Sequence, residues 1–586
     1  MKIISSRRLA DYFPIVKWAR AYNRVILGDD LLAAFIVTIM LIPQSLAYAL
    51  LAGLPAEIGL YASMLPLVAY TIFGTSSALA VGPVAVVSLM TAAAISNLNI
   101  LEPSDIILAA GILAALSGII LVLMGFLKLG FLANFLSHPV ISGFITASGI
   151  VIAISQLKHI FGITAAGHTL PQIVQSLMLN IQQFNGYTAC IGIISIGFLL
   201  WMRLFVHSIL SKIGIASNTV SFLTKLGPVL IIISTIIITK WLALDQQGVA
   251  VIGFVPSQLP QLGFPTITSG LWVELMASAF LISIIGFVES VSVAQTLAAK
   301  KRQHIDPNQE LIGLGAANIA SAASSGYPVT GGFARSVVNF DAGAATPAAG
   351  AFSALGIALA TLFLTPWLFY LPKAVLAATI IVAVLSLVDF TILRKTWIYS
   401  KSDFGAVALT LFGTLAFGVE IGVLLGVASS LLLYLLKTAT PHIAIVGQVA
   451  DSEHFRNVNR HSVRTWSNLL SIRIDQSLYF ANARALEDFI TASLAHNSEI
   501  EHVILQCTAI NEIDASAIES LEAIIHKLDL MEVCFHLSEV KGPVMDRLKR
   551  IDFQSHLTGS IFLSHIDATR KLANDKSQIS TPFIVG

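Results

Sequence analysis

The sequence is poor in charge and in cysteine. Of its 586 residues, 11% are charged and 56% are hydrophobic, and the mean hydropathy is +0.82. Soluble proteins carry about 25% charged residues, so an ordinary soluble enzyme and a disordered chain are both excluded. The net charge of +1 gives no support to bulk nucleic-acid binding. Cys190, Cys507 and Cys534 are too few and too scattered for a disulfide framework or a zinc site.

The scarce charges are also unevenly distributed. Residues 1–440 contain 36 charged residues, about 8%, whereas residues 441–586 contain 31, about 21%. A large membrane domain followed by a soluble domain explains this division. We predict an N-terminal cytoplasmic segment, a transmembrane domain, a soluble domain and a C-terminal tail, with bounds of 1–28, 29–440, 441–571 and 572–586.

Apolar stretches of membrane-spanning length recur through the first domain. We predict about fourteen spans, several of them short or broken by Gly and Pro, near residues 30–51, 57–74, 79–97, 105–127, 131–156, 187–206, 220–242, 272–298, 308–324, 330–340, 346–368, 372–388, 403–418 and 419–437. Loops after even-numbered spans carry the basic residues, which the positive-inside rule assigns to the cytoplasm together with both termini. These residues are Lys128, Lys212, Lys225, Lys300, Lys301, Arg302, Arg394 and Lys395.

The two halves of the membrane domain have matching patterns. Each opens with an acidic residue and a long apolar helix, and each later contains a short Gly/Pro-interrupted segment, at Gly82-Pro83 and at Pro328 to Gly332. Seven spans separate the two copies, so they must be inverted in the membrane. Such paired, broken segments point to the binding site of a transporter, although Gly and Pro are also common in transmembrane helices without such a role.

A strand that reaches mid-membrane and then begins a helix leaves backbone N–H groups free there, and the helix dipole adds positive charge. If both broken segments do this, two helix N-termini face one anion. We therefore predict an anion site whose members come from the third span, namely Val84, Ala85 and Ser88, and from the tenth, namely Ala334, Arg335 and Ser336. Arg335 can hold an oxyanion through two parallel hydrogen bonds.

Glu289 and Arg335 are the main charges predicted inside the spans, where charges are costly and usually functional. A carboxyl between an apolar surrounding and a nearby arginine can take up a proton with substrate and release it inside. We predict this proton-coupling role for Glu289. The alternative is a fixed Glu289–Arg335 ion pair that only locks two helices.

Gln44 and Tyr48 lie on one face of the first long helix, because they are four residues apart. We assign both to the wall of the anion site. The alternatives are a core or interfacial aromatic role for Tyr48 and a helix–helix hydrogen bond for Gln44. Ser88, Ser290 and Ser292 are weaker candidates, because small hydroxyl residues are ordinary packing residues in membranes.

Several long motifs resemble the sulfate permease family. They include Ile42-Pro-Gln-Ser-Leu-Ala-Tyr48, Val81-Gly-Pro-Val-Ala-Val-Val-Ser88 and Tyr327-Pro-Val-Thr-Gly-Gly-Phe-Ala-Arg-Ser336. The resemblance runs from about residue 28 to about residue 570. It implies a seven-plus-seven inverted repeat, an elevator motion and a homodimer. It also implies that Glu289 couples protons in sulfate symport and that Arg335, Gln44 and Tyr48 meet the anion.

One position departs from the family pattern. Many relatives have Ser before the arginine, and here it is Ala334, which removes one hydroxyl donor. The sodium-dependent bicarbonate branch typically lacks the arginine, so Arg335 favours a divalent oxyanion over bicarbonate.

The soluble domain alternates predicted strands and helices, which indicates a largely α/β sheet. The strands are 469–474, 503–507 and 533–537, and the helices are 483–496, 514–529 and 543–551. Tyr479 to Ala483 and the turn at Ile513 to Ala517 resemble a STAS domain. Asp514 can cap the helix that follows it. In related anti-sigma antagonists the position matching Ser516 is phosphorylated, and the alternative is a helix-start serine with no regulation.

The predicted function is secondary active transport of an inorganic oxyanion, with proton-coupled sulfate uptake favoured. Bicarbonate, a dicarboxylate and anion exchange stay open within the class. A neutral-solute permease and a membrane-anchored STAS signalling protein are the competing classes. Arg335 and the attached STAS domain argue against the permease. The Glu289/Arg335 pair and the broken helices argue against the signalling protein. No enzyme activity, cofactor, metal or nucleic-acid partner is expected, and the predicted location is the plasma (inner) membrane.

Overall fold

The structure is a computed structural model of the whole chain. It describes residues 12–96, 98, 102–134, 138–167, 169–206, 212, 226–266, 270–450, 452–574 and 577–580. Several predicted features lie outside these residues: the first eleven residues of the N-terminal segment, Lys225, the first part of the 220–242 span and the end of the C-terminal tail. The chain divides into two compact units, residues 1–430 and 431–586.

The first unit is helical apart from two short strands, β1 Val81–Gly82 and β2 Thr330–Gly331. Its helices are Ile15–Ala19, Arg24–Leu51, Ala56–Tyr61, Leu65–Phe73, Ala85–Ser96, Pro103–Phe126, His138–Ser155, Leu157–Phe161, Leu170–Leu179, Gly186–Trp201, Gly227–Trp241, Leu271–Glu274, Met276–Lys300, Pro307–Ala323, Phe333–Asp341, Ala348–Leu364, Lys373–Leu385, Thr391–Tyr399, Lys401–Phe417 and Val419–Ala439. Each predicted span overlaps at least one of them. Within the described residues, eight helical stretches are long and apolar enough to cross a membrane.

Helix packing repeats between the two halves of this unit. Pro103–Phe126 packs against Pro307–Ala323, and Leu65–Phe73 packs against Ala348–Leu364. These four helices form a first group. In a second group, His138–Ser155 packs against Lys401–Phe417, and Gly186–Trp201 packs against Lys373–Leu385. In each contact a helix of one half meets a helix of the other, as the predicted inverted repeat requires.

Two buried carboxylates brace this packing. Asp30 accepts hydrogen bonds from the amides of Ala345 and Thr346, at 2.8 and 3.0 Å, and so caps the segment that precedes the Ala348–Leu364 helix. Glu310 accepts from the Tyr70 hydroxyl at 2.7 Å and from the Thr75 amide at 2.8 Å. Both carboxylates are fully buried. Each therefore satisfies backbone donors that water cannot reach.

The second unit is an α/β domain. Its strands are β3 Ile443–Gln448, β4 Phe455–Asn457, β5 Val463–Trp466, β6 Leu469–Ile474, β7 His502–Gln506, β8 Cys534–Ser538, β9 Ile561–Phe562 and β10 Ser577–Ser580. The order along the sheet is β10-β5-β3-β6-β7-β8-β9, and β4 pairs with β3. The pairs from β6 to β9 are parallel and the other pairs are antiparallel.

The helices Ala483–His496, Ala515–Asp529, Gly542–Arg550 and His565–Leu572 accompany this sheet. The three predicted strands and three predicted helices are confirmed within one residue at each end. The antiparallel strands, β9 and the last helix were not predicted. Asp514 caps its helix as expected, because its carboxylate accepts from the Ala517 amide at 2.8 Å.

His565 begins the last helix and is fully buried. Its Nδ1 shares a hydrogen bond of 2.7 Å with the Ser538 hydroxyl, and its Nε2 has no partner in the described residues. The Phe455 ring packs edge-on against it at 4.3 Å, and Glu539 accepts from its backbone amide. Burial lowers the pKa of His565 from 6.5 to about 4, because the charged imidazolium would lose its hydration.

Acidification should therefore loosen the last helix. Packing of the last helix against the sheet lowers the pKa of His565, so neutral His565 stabilises the packed state above pH 6.5. That contribution is lost as the pH falls toward 4. Between pH 7 and pH 5 the loss is about 2 kcal/mol. Hydrogen exchange of the His565–Leu572 amides in the full-length protein should show it as lower protection at pH 5. A His565→Gln variant should lack this pH dependence, and equal protection of the parent at both pH values would contradict the account.

Candidate anion site

The two broken segments cross at the centre of the first unit. Strand β1, Val81–Gly82, pairs antiparallel with strand β2, Thr330–Gly331, and Val81 faces Gly331 in the register. All four residues are buried. Each strand leads directly into a short helix, Ala85–Ser96 or Phe333–Asp341. The antiparallel pairing sends the two helices away from the crossing in opposite directions, so their N-termini meet there.

The long helix Met276–Lys300 holds β2 in place through hydroxyl groups. The Thr330 hydroxyl donates to the Gly286 carbonyl at 2.6 Å. The Ser290 hydroxyl contacts the Thr330 hydroxyl at 2.6 Å and accepts from the Gly331 amide at 2.8 Å. Because non-helical backbone at membrane depth must have its hydrogen bonds satisfied, these contacts give Ser290 a structural role.

Ser88 and Ser336 occupy matching positions, each the fourth residue of its short helix. The Ser336 hydroxyl donates to the Gly332 carbonyl at 2.7 Å and accepts from the Ala80 amide at 3.0 Å. The Ser88 hydroxyl forms a hydrogen bond of 3.1 Å with the Tyr327 hydroxyl. Both serine amides already bond within their helices. This differs from the sequence prediction, because the two serines join the halves of the repeat and have no free amide for an anion.

The free backbone amides lie in the first turn of each short helix, before Ser88 and Ser336. The first amides of a helix have no intrahelical acceptor, which leaves those of Ala85, Val86 and Val87 in one helix and of Phe333, Ala334 and Arg335 in the other. No side chain caps the second helix, whose N-cap is Gly332. Val84 is 8% exposed, and only its main chain is polar. The structure thus brings Val84, Ala85, Ala334 and Arg335 to one place, as predicted.

Arg335 is the charged group at the crossing and is 3% exposed. One terminal nitrogen, Nη2, donates to the Thr330 carbonyl at 3.4 Å, a long hydrogen bond. The other, Nη1, is buried and has no hydrogen-bond partner in the described part of the chain. Burying such a group without a partner is costly. A guanidinium in this state is available to a ligand.

Glu289 lies near Arg335, and the two charges interact electrostatically. Among the described residues they form no salt bridge, so the fixed ion pair considered above is not present in this structure. Glu289 instead lines an apolar cavity with Val140, Phe144 and Val423. These neighbours belong to His138–Ser155 and Val419–Ala439. The Glu289 carboxyl thus faces these two helices across the cavity.

Gln44 and Tyr48 lie on the same side of this region. Tyr48 is 8% exposed, and the charges of Arg335 and Glu289 act on its hydroxyl. Gln44 is half-buried. Neither side chain forms a hydrogen bond within the described residues, so the predicted alternative of a helix–helix hydrogen bond for Gln44 is not observed.

Sequence reasoning missed Tyr327 and Glu310. Tyr327 is fully buried, bonds to Ser88 and interacts with the Arg335 charge. An aromatic residue directly before the second broken segment was the available signal. Glu310 has no such signal, because only the packing shows that this charge near a helix end is fully buried. Ser516 is exposed at the start of its helix and has no role at this site.

Comparison with known proteins agrees with this architecture. Residues 27–410 match the model of the sulfate permease family, and residues 461–568 match the STAS domain. The chain belongs to the sulfate permease family. It is therefore an integral membrane transporter and not an enzyme, and its second unit is a STAS domain.

Curated relatives of this permease cover most of its length. The chloroplastic sulfate transporter 4.1 of Arabidopsis thaliana is 36% identical over 552 residues, which cover 91% of this chain and 79% of the relative. The high affinity sulfate transporter 2 of Stylosanthes hamata is 31% identical over 577 residues, covering 95% and 85%.

Solved structures share the fold. The murine Slc26a9 anion transporter in the inward-facing state matches with a TM-score of 0.86 at 23% identity, covering 98% of this permease and 96% of that chain. The transmembrane domain of the cyanobacterial bicarbonate transporter BicA matches with a TM-score of 0.58 at 20% identity, covering 70% and 98%.

Gly82 is expected to be essential at the crossing. A Cβ atom on Gly82 would lie 2.7 Å from Nη1 of Arg335, so Gly82→Ala must displace the guanidinium. We expect at least a tenfold loss of substrate affinity, since charged hydrogen bonds contribute about 1.5–3 kcal/mol. The measurement is the KM for transport. Gly197→Ala is the control, because its Cβ would meet nothing within 4 Å. Equal KM values for the parent and Gly82→Ala would contradict this geometry.

Proposed function

We propose that this permease carries sulfate together with protons. The observation that supports it most is the buried Arg335 guanidinium with an unpaired Nη1, between two helix N-termini. Three sources of positive charge converge there, and sulfate presents four oxygens to them. The sulfate transporters among its relatives support the same substrate. Bicarbonate or a dicarboxylate would use the same donors, so they are arms of the test below.

Glu289 is the proposed proton carrier. Its carboxyl is close enough to Arg335 to interact with its charge, yet its surroundings are apolar. A protonated Glu289 leaves the full guanidinium charge to a divalent anion. A deprotonated Glu289 repels that anion. Proton and sulfate therefore bind best together, and the proton gradient drives uptake.

The proposed motion is an elevator. The crossing strands and the helices packed around them carry the substrate groups, while His138–Ser155, Lys373–Leu385 and Lys401–Phe417 belong to the second group. Glu289 contacts this second group through apolar side chains. Such contacts can slide without breaking specific polar bonds. We also propose cytoplasmic termini, a plasma (inner) membrane location and a homodimer.

Transport into proteoliposomes tests the proposal. The purified protein is supplied with radiolabelled sulfate, bicarbonate or fumarate under imposed proton or sodium gradients. We expect sulfate uptake that an inward proton gradient accelerates and a sodium gradient does not. If sulfate neither enters nor competes under any gradient, the proposed substrate is wrong.

Arg335→Ala should weaken sulfate transport about 10- to 100-fold, because the charged hydrogen bonds to the anion are lost. Arg335→Lys should retain part of the activity, since lysine keeps the charge but not the two parallel donors. Arg394→Ala is the matched control, because Arg394 is exposed on another helix. The readout is initial uptake rate in variants that elute as the parent does on size exclusion. Full activity of Arg335→Ala would refute the anion contact.

Glu289→Gln should preserve sulfate transport but abolish its coupling to protons. A neutral amide mimics the protonated carboxyl permanently, so sulfate–sulfate exchange should persist while acceleration by a proton gradient disappears. Glu274→Gln, which removes an exposed acid from a preceding short helix, should behave as the parent. The two assays are counterflow exchange and gradient-driven uptake. Undiminished proton-driven uptake by Glu289→Gln would show that another group carries the proton.

A further inference from the structure

An open cavity of about 560 Å³ lies beyond the candidate anion site. It is lined by Leu50 at the end of the first long helix, by Leu89 in the first short helix, and by residues 151–159 and 417–421. Under the proposed topology this is the outer face of the membrane. The cavity thus lies between the two groups of helices.

The cavity begins close to the anion site. Leu50 is two residues beyond Tyr48 on one helix, and Leu89 is four residues beyond Ala85 on another. At 1.5 Å per residue, these steps are about 3 and 6 Å along the helix axes. An anion that moves inward from the cavity therefore reaches the free amides of the short helix Ala85–Ser96 within about one helical turn.

A lysine and a histidine lie side by side in the polar lining. In the described residues, the charged or titratable groups that line the cavity are Lys158, His159 and Glu420. Lys158 is half-buried, and no carboxylate compensates its charge. Lys373 adds a further positive charge that acts on His159. Glu420 keeps its negative charge and accepts a hydrogen bond of 3.0 Å from Ser278, but it is not among the charges that act on Lys158 or His159 in the described residues.

Uncompensated positive charge between apolar walls concentrates anions, because the low dielectric of the walls focuses the field into the cavity. Such charges also remain costly in the absence of a counter-ion. We propose that Lys158, with the neutral imidazole of His159 beside it as a hydrogen-bond donor, forms a recruiting site in the outer cavity, where the oxyanion is held before it passes to Arg335. This inference rests on the proposed anion transport.

Neutralising Lys158 should raise the KM for external sulfate and leave kcat unchanged, because the variant slows the arrival of sulfate and leaves the site at Arg335 unchanged. For Lys158→Gln we expect a KM about three- to tenfold higher. Increasing ionic strength should raise the KM of the parent more than that of Lys158→Gln. Lys158→Arg, which keeps the charge, should restore the KM. The measurement is sulfate uptake from outside by intact cells of an uptake-deficient strain.

Lys240→Gln is the matched control. It removes the same charge from an exposed position at the end of Gly227–Trp241, outside the cavity. Equal KM and equal salt dependence for Lys158→Gln and the parent would overturn the inference, as would an equal effect of Lys240→Gln. Loss of kcat in Lys158→Gln would also overturn it. If another anion is carried and sulfate is not, the proposed substrate fails, whereas a Lys158-dependent KM for that anion still supports the recruiting site.

Discussion

The antiparallel contact between Val81–Gly82 and Thr330–Gly331 is the constraint on which the transport domain depends. Extended backbone in the middle of a membrane needs a partner for every N–H and C=O group. The two strands supply part of this for each other, and Ser290 and Thr330 supply more. Because the strands satisfy each other, each can stop at mid-membrane and begin a helix there. The anion site is a direct consequence of that geometry.

The same constraint explains how the two halves of the repeat are tied together. Ser336 in one half bonds to the Ala80 amide in the other, and Ser88 bonds to Tyr327 in the reverse sense. These bonds fix the short helices relative to each other without using their first amides. Gly82 has a φ of +156°, and a Cβ atom on it would lie 2.7 Å from Nη1 of Arg335, so a side chain here would strain β1 and move the guanidinium. These bonds hold the frame, while the first amides of the short helices stay available to the proposed anion.

Much of this architecture follows from sequence patterns. Apolar runs, the division in charge and the two Gly/Pro-interrupted segments predict the spans, the soluble domain and the inverted half-helices. The pattern also predicts that Glu289 and Arg335 belong to one region. The pattern does not show which hydroxyls face the ligand. Ser88 and Ser336 look like ligands in the sequence, and only the strand crossing shows that their partners are protein atoms.

The buried acids show the same limit. Asp30 and Glu310 are fully buried but satisfied by several donors, whereas Glu289 forms no such bonds in the described residues. Sequence spacing does not separate these cases, because the donors come from the other half of the repeat. Hydrogen-bond partners, more than depth alone, distinguish Asp30 and Glu310 from Glu289, the proposed proton carrier.

A crystal structure of the protein with selenate, with anomalous data at the selenium edge, tests the central claim most directly. The predicted result is a selenium peak between the first turns of Ala85–Ser96 and Phe333–Asp341, with Arg335 turned toward it. A peak elsewhere in the transport domain, with Arg335 paired to Glu289 and the crossing vacant, would contradict the account.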